Sequence, residues 1–307
     1  MRGLVIKTTG NSYTVQPADG GGPVTAYVKG NFRIRGIRST NPVAVGDYVL
    51  IERLRDGTNW IADIEDRRNY IIRRSANLSK QTHILAANID QAVLLVTVAH
   101  PVTSTTFIDR FLATAEAYRI PAVLLFNKTD ILTEEEMHTL CEWRELYQSL
   151  GYETYAVSAT HLGVDTVLPL FAGKVSLLSG NSGVGKSTLL NAVAGRELTR
   201  TAELSAQHDS GMHTTTFSEM YPLEGGGYII DTPGIKGFGA VAMEKEEISH
   251  YFREIFRTGR SCRYGNCLHL GETGCAVTPA VERGDIALSR YESYLSLLGD
   301  CEESKYR

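Results

Sequence analysis

Residues 180–187 read GNSGVGKS, preceded by the apolar run VSLLS and followed by STLLNAVAG. No other stretch restricts the fold as strongly. The pattern G-x-x-x-x-G-K-[ST] between a strand and a helix is a phosphate-cradling loop. It requires a buried strand whose carboxyl end opens into a helix, which implies a parallel sheet covered by helices on both faces. Gly180, Gly183 and Gly185 let the backbone curl so that N–H groups from Gly180, Asn181, Ser182, Gly183, Val184, Gly185 and the following turn, including Thr188, surround the phosphates. Lys186 supplies a point charge to the β- and γ-phosphate oxygens, and the Ser187 hydroxyl is placed to ligate Mg²⁺.

A second element lies upstream. PAVLLF is followed by NKTD at 127–130. The Asp130 carboxylate can accept the N1–H and 2-amino protons of guanine. Adenine has neither, so the carboxylate would be left unpaired, and sites built on such hydrogen bonds discriminate by about 10⁴-fold or more. Asn127 would brace the loop and the base, while the Lys128 stem packs over the purine. Ser158 and Ala159, at the end of the next apolar run, match the backbone element that backs a guanine.

Downstream, DTPG at 231–234 closes the run GYII. Asp231 would hold Mg²⁺ through water and the Gly234 N–H would contact the γ-phosphate. Between the two lies HTTTF, 213–217, in a polar stretch. A threonine there completes a Mg²⁺ shell; Thr215 is favoured, with Thr214 and Thr216 left open. The residue after DTPG is Ile235, which cannot orient a water as a glutamine would. Intrinsic hydrolysis should therefore be slow. His213 is the nearest substitute, the alternative being a solvent-facing histidine.

The elements run NKTD, SA, GNSGVGKS, HTTT, DTPG. Moving the first two behind the last restores the usual order of a guanine-nucleotide domain. Loops of a parallel sheet share its carboxyl edge, so joining the old termini near 160–174 leaves the site intact. The expected fold is a circularly permuted α/β domain over 71–240. Its strands lie near 91–99, 121–126, 152–159, 175–180 and 227–234, and its helices at 105–118, 133–150 and 186–195. The segment after DTPG would pass nucleotide state to the C-terminal unit through one short connection.

Two smaller units flank it. Residues 1–70 alternate apolar and polar residues in short runs split by DGGGP and STNP, which suits a small β-barrel such as an OB-fold or an SH3-like barrel. The first 75 residues carry an excess of Lys and Arg, whereas the remainder is acidic and the net charge is −4. That asymmetry points to a polyanion-binding module, with Arg33, Arg35 and Arg38 as candidates, or to a merely solvated basic surface.

The third unit, 241–307, is helix-rich and interrupted by SCRYGNCLHLGETGC. Cys262, Cys267, His269 and Cys275 place three thiolates and an imidazole within fourteen positions, a tetrahedral zinc set of structural type. Cys141 and Cys301 read as free thiols. Arg253, Arg257, Arg260 and Arg263 around the loop face either phosphate or solvent. Five unevenly spaced cysteines, no apolar run of about 20 residues and no signal-peptide pattern lead to the expectation of a cytoplasmic, membrane-free protein, with nothing suggesting a dimer.

Together these residues resemble the ribosome small subunit-dependent GTPase A family (RsgA/YjeQ). The resemblance spans the whole chain, through NKTD, GNSGVGKST, HTTT, DTPGIKGFG and CRYGNCLHLGETGCAV. It implies an OB-fold, a permuted P-loop GTPase and a zinc domain. It also implies GTP/GDP, Mg²⁺ and one structural Zn²⁺ as cofactors, and a late role in maturing the small (30S) ribosomal subunit. Hydrolysis would be stimulated by that subunit and its rRNA, with His213, Lys186 and Thr215 as catalytic residues. Two rivals make other predictions: a nucleotide switch for a protein partner, indifferent to ribosomal subunits, and an ATP-using P-loop enzyme whose binding survives Asp130→Asn.

Overall fold

The computed structural model describes residues 1–9, 12–28, 42–74, 82–159, 164–198, 219–231 and 243–305. Five strands open the chain: β1 (Arg2–Thr8), β2 (Tyr13–Pro17), β3 (Val24–Val28), β4 (Tyr48–Arg53) and β5 (Asn59–Ile64). Their order is β1-β2-β3-β5-β4, and β4 pairs back onto β1, closing a barrel. All pairs are antiparallel except β3–β5. This is an OB-like path rather than an SH3-like one. Alternate residues point inward, so Val5, Tyr13, Val15, Ala26, Val49, Ile51 and Ile61 fill the interior.

A hairpin, β6 (Tyr70–Arg74) with β7 (Thr82–Ala87), comes after the barrel. Then come β8 (Gln91–Val96), α1 (Thr105–Ala117), β9 (Ala122–Phe126), α2 (Glu134–Ser149), β10 (Glu153–Ala156) and α3 (Val164–Phe171). They continue with β11 (Val175–Gly180), α4 (Lys186–Ala194), β12 (Glu219–Pro222) and β13 (Tyr228–Asp231). The strand order is β10-β9-β8-β11-β13-β12, parallel except for β12. Because β8 is buried on both faces, its apolar run needs no alternation. Ala92, Leu94 and Val96 pack with Phe111, Leu112 and Tyr147, whereas Val93 and Leu95 pack with Val167, Leu189 and Val193. Helices therefore cover both sides, as the phosphate loop required.

The two sheets are continuous. Strand β12 pairs with β1 at Lys7↔Glu219, giving eleven connected strands among the described residues. The last part carries α5 (Arg253–Gly259), α6 (Val277–Glu282) and α7 (Leu288–Lys305). Its core of Ile248, Phe252, Ile255, Val277, Tyr294 and Leu298 includes Ala113 from α1. No helix of the described residues is long and apolar enough to cross a membrane.

Candidate nucleotide site and metal centre

Strand β11 ends at Gly180 and α4 begins at Lys186, so the phosphate loop sits at the carboxyl edge of the sheet. Gly180, Gly183 and Gly185 have φ of 151°, 81° and 100°. A Cβ on Gly180 would lie 2.7 Å from the Leu95 carbonyl oxygen, and one on Gly185 2.5 Å from Asn127 Nδ2. Glycine is required at both by space as well as by backbone angle. Lys186 Nζ donates to the carbonyls of Gly180 and Asn181 at 2.7 and 2.6 Å, which holds the ammonium over the loop. Ser187 and Thr188 occupy the first turn of α4, where the helix field favours anions.

The NKTD and SA segments meet this loop through one buried side chain. Asn127 Nδ2 donates to the Val184 carbonyl at 2.8 Å, and its Oδ1 accepts the Ala159 N–H at 2.9 Å. NKTD, SA and the phosphate loop are thus fastened together despite lying far apart in sequence. Lys128 takes a left-handed backbone (φ 63°) and sends its ammonium to the His100 carbonyl, leaving its stem along the pocket. The resulting cavity, about 210 Å³, is lined by Asn127, Lys128, Asp130, Ile131, Ser158, Ala159, Gly185 and Thr188. It has one carboxylate, backbone polar groups and hydrocarbon walls, a combination that can take a flat base with adjacent N–H donors. Ile131 was not singled out by the sequence; its only signal is its place beside Asp130.

Strand β13 runs parallel to β11 with Leu178 opposite Asp231. Residue 231 therefore ends its strand two residues short of the level where the phosphate loop begins. His213, Thr214, Thr215, Thr216, Gly234 and Ile235 lie outside the described residues, as do Arg33, Arg35 and Arg38.

The four predicted zinc ligands come together, with their donor atoms within 4.8 Å of one another. Cys262 Sγ and Cys275 Sγ stand 3.6 and 3.7 Å from His269 Nδ1. Tetrahedral zinc with Zn–S of about 2.3 Å and Zn–N of about 2.0 Å places S and N roughly 3.5 Å apart, so the donor set fits that ion. His269 is buried, which lowers its pKa and favours the neutral, ligating form. Burial pushes the Cys267 thiol up to about 12, a tendency a divalent cation reverses by binding the thiolate. The loop is held from outside. Glu272 accepts the N–H groups of Leu268 and Leu270, and Tyr291 and Tyr294 donate to the carbonyls of His269 and Leu268. A Cβ on Gly259 would press the imidazole at 3.1 Å. Of the four arginines near this loop, Arg253 is not free for phosphate: it pairs with Glu116 and lies over the Tyr152 ring.

The RsgA GTPase model matches residues 64–241, and the RsgA N-terminal domain model matches residues 2–61. This chain belongs to the RsgA GTPase family. The "Small ribosomal subunit biogenesis GTPase RsgA" of Bacteroides fragilis (strain YCH46) is 61% identical over all of this chain and 99% of its own length. The protein of the same name from Phocaeicola vulgatus is 59% identical over the same shares. Among solved structures, YjeQ from Thermotoga maritima superposes with a TM-score of 0.77 at 33% identity, covering 98% of each chain. YloQ, described as a circularly permuted GTPase, gives 0.74 at 27% identity over 100% of this chain and 96% of its own. The RsgA membership makes this chain a GTP-hydrolysing enzyme with the permuted order read from its motifs.

Proposed function

We propose that this GTPase acts in late maturation of the small ribosomal subunit, that the subunit and its rRNA stimulate hydrolysis, and that nucleotide state governs docking and release. The observation that carries the reading is full-length identity of 61% to a protein named for small-subunit biogenesis. Asp130 would read guanine in the pocket lined by Lys128, Ser158 and Ala159, and the 180–188 loop would hold the phosphates. Ser187, Thr215 and Asp231 would hold Mg²⁺; Cys262, Cys267, His269 and Cys275 would hold one structural Zn²⁺. His213, from a segment outside the described residues, would orient the attacking water with Lys186 stabilising the developing charge. We divide the chain at about residues 70 and 240, with the barrel contacting RNA, and expect a cytoplasmic monomer.

Co-sedimentation tests the docking claim. With a non-hydrolysable GTP analogue the protein should pellet with small subunits, and with GDP it should stay in the supernatant. Equal pelleting in both states would remove nucleotide control from the proposal.

A further inference from the structure

The interior of the molecule contains a charge cluster that the nucleotide chemistry does not use. Arg290 of α7 donates to both Glu254 carboxylate oxygens, from Nε at 2.6 Å and Nη2 at 3.1 Å, and from Nη1 to Asp109 Oδ1 at 2.8 Å. Tyr147 of α2 donates to the same Asp109 oxygen at 2.9 Å. The Arg290 guanidinium also lies 4.6 Å from the Phe252 ring centroid. These charged side chains are no more than 3% exposed. Such a cluster is poor evidence for added stability, because desolvation offsets the attraction, but it fixes one arrangement of the helices that contribute to it. Here those helices are α1 and α2 of the nucleotide domain and α5 and α7 of the zinc-bearing part. At the rim of the same seam Arg110 reaches Asp300 at 2.6 Å and Ser296 Oγ at 2.9 Å.

Helix α1 leads back to the nucleotide pocket. Its N-cap, Ser104, succeeds a loop over 97–103 that is tied across itself. Thr97 N–H donates to Thr103 Oγ1 at 3.1 Å, and Thr103 N–H donates to the Thr97 carbonyl at 2.9 Å. That loop supplies the His100 carbonyl that holds Lys128 Nζ. It also sets Pro101 against the phosphate loop, where a Cβ on Gly183 would lie 3.5 Å from Pro101 Cδ. One short, cross-braced loop thus bonds Lys128 and lies beside the phosphate loop, and its helix is clamped to α7.

We propose that Arg290, through Asp109 and α1, is a positioning residue for the guanine-nucleotide pocket, so that the zinc-bearing part sets the lifetime of bound nucleotide. This coupling is separate from the chain connection after DTPG. It would run through the first turns of one packed helix, from Asp109 and Arg110 at the seam to the 97–103 loop at the helix N-terminus. It rests on the pocket lined by Lys128 and Asp130 being the guanine site.

The test is the release rate of a fluorescent GDP analogue, N-methylanthraniloyl-GDP, from the full-length zinc-loaded protein. Asp109→Asn keeps the side-chain shape and removes the charge that Arg290 faces; release should quicken about tenfold. Arg110→Asp sets two carboxylates against each other at the exposed rim and should quicken release about threefold. The swap Arg110→Asp with Asp300→Arg should return it to the parent rate, at a melting temperature like the parent's. Because the swap also repairs any stability lost to repulsion, the melting temperature of each single variant is read beside its release rate: quickened release at a parent-like melting temperature identifies positioning, and release that quickens only in step with a lowered melting temperature overturns it. Parent-rate release in both single variants overturns the proposal. Should Asp109→Asn not fold, the rim pair decides alone. Asp130→Asn in the same assay separates the two claims: undiminished GDP binding there would refute the pocket assignment itself, whereas its loss with unchanged release in the seam variants would refute only the coupling.

Discussion

Asn127 commits both ends of its amide to the protein, one to Val184 and one to Ala159. Its part is therefore to hold loops, and in the proposed site discrimination falls to Asp130. Asp130→Asn should weaken GTP binding by at least about a hundredfold and raise relative acceptance of xanthosine nucleotide, whose 2-oxo group suits an amide donor. A competition assay in which GTP preference is unchanged would contradict that. Gly185→Ala is a sharper geometric test. Its Cβ would stand 2.5 Å from Asn127 Nδ2 at a left-handed φ, so the Asn127–Val184 bond cannot survive unmoved. GTP affinity should fall at least about tenfold, and the melting temperature should drop as well because of the strained backbone and the disturbed buried bond, readable by titration calorimetry beside a thermal scan. His213→Ala should lower subunit-stimulated turnover by about 10²-fold or more while GTP affinity stays within a few-fold. Steady-state kinetics with small subunits would show the split between kcat and binding.

The loop that carries Cys262, Cys267, His269 and Cys275 is flanked by short elements. It lies between α5 and α6, two helices of seven and six residues, too short to persist without tertiary support. A structural zinc of this type contributes apparent binding energy of about 10–16 kcal/mol. Removing it with a chelator, or replacing Cys275 with Ser, should melt α5 and α6 while leaving the barrel folded. Hydrogen exchange would show protection lost over 253–282 and retained over 2–28; uniform retention would refute a structural role for the metal. Elements also show where the sequence was readable. The runs AVLLV and AVLLF announced β8 and β9 because strands buried on both faces are filled mainly by apolar residues. Strand β12 gave no such sign. EMYP buries only Met220 and ends in proline, and its place comes from pairing with β13 on one side and β1 on the other. The hairpin β6–β7 was hidden too, because its place comes from tertiary contacts: Ile71 and Ala86 pack in the main core and Ala86 bridges to Val45.

Across the whole molecule, the candidate nucleotide site was legible as motifs because these are local, and their order alone specified the permutation. What unites the parts was not. Asp109 and Arg290 are 181 positions apart, and each reads in isolation as an ordinary polar position on a helix. Their burial depends on tertiary packing that no period of 2 or 3.6 residues encodes. The same holds for Lys7 and Glu219, whose strands join the barrel to the larger sheet. The consequence is a protein in which the barrel is continuous with the nucleotide domain through a sheet, and the Cys/His-bearing part packs on it through an apolar core and a buried charge cluster. The most direct measurement is GTP turnover of the purified zinc-loaded protein, alone and with small subunits, large subunits or unstructured RNA. Turnover alone should be slow, since Ile235 stands where a water-orienting glutamine could be, and small subunits only should stimulate it strongly. Equal turnover in all four conditions, or stimulation by any RNA, would contradict a ribosome-gated GTPase.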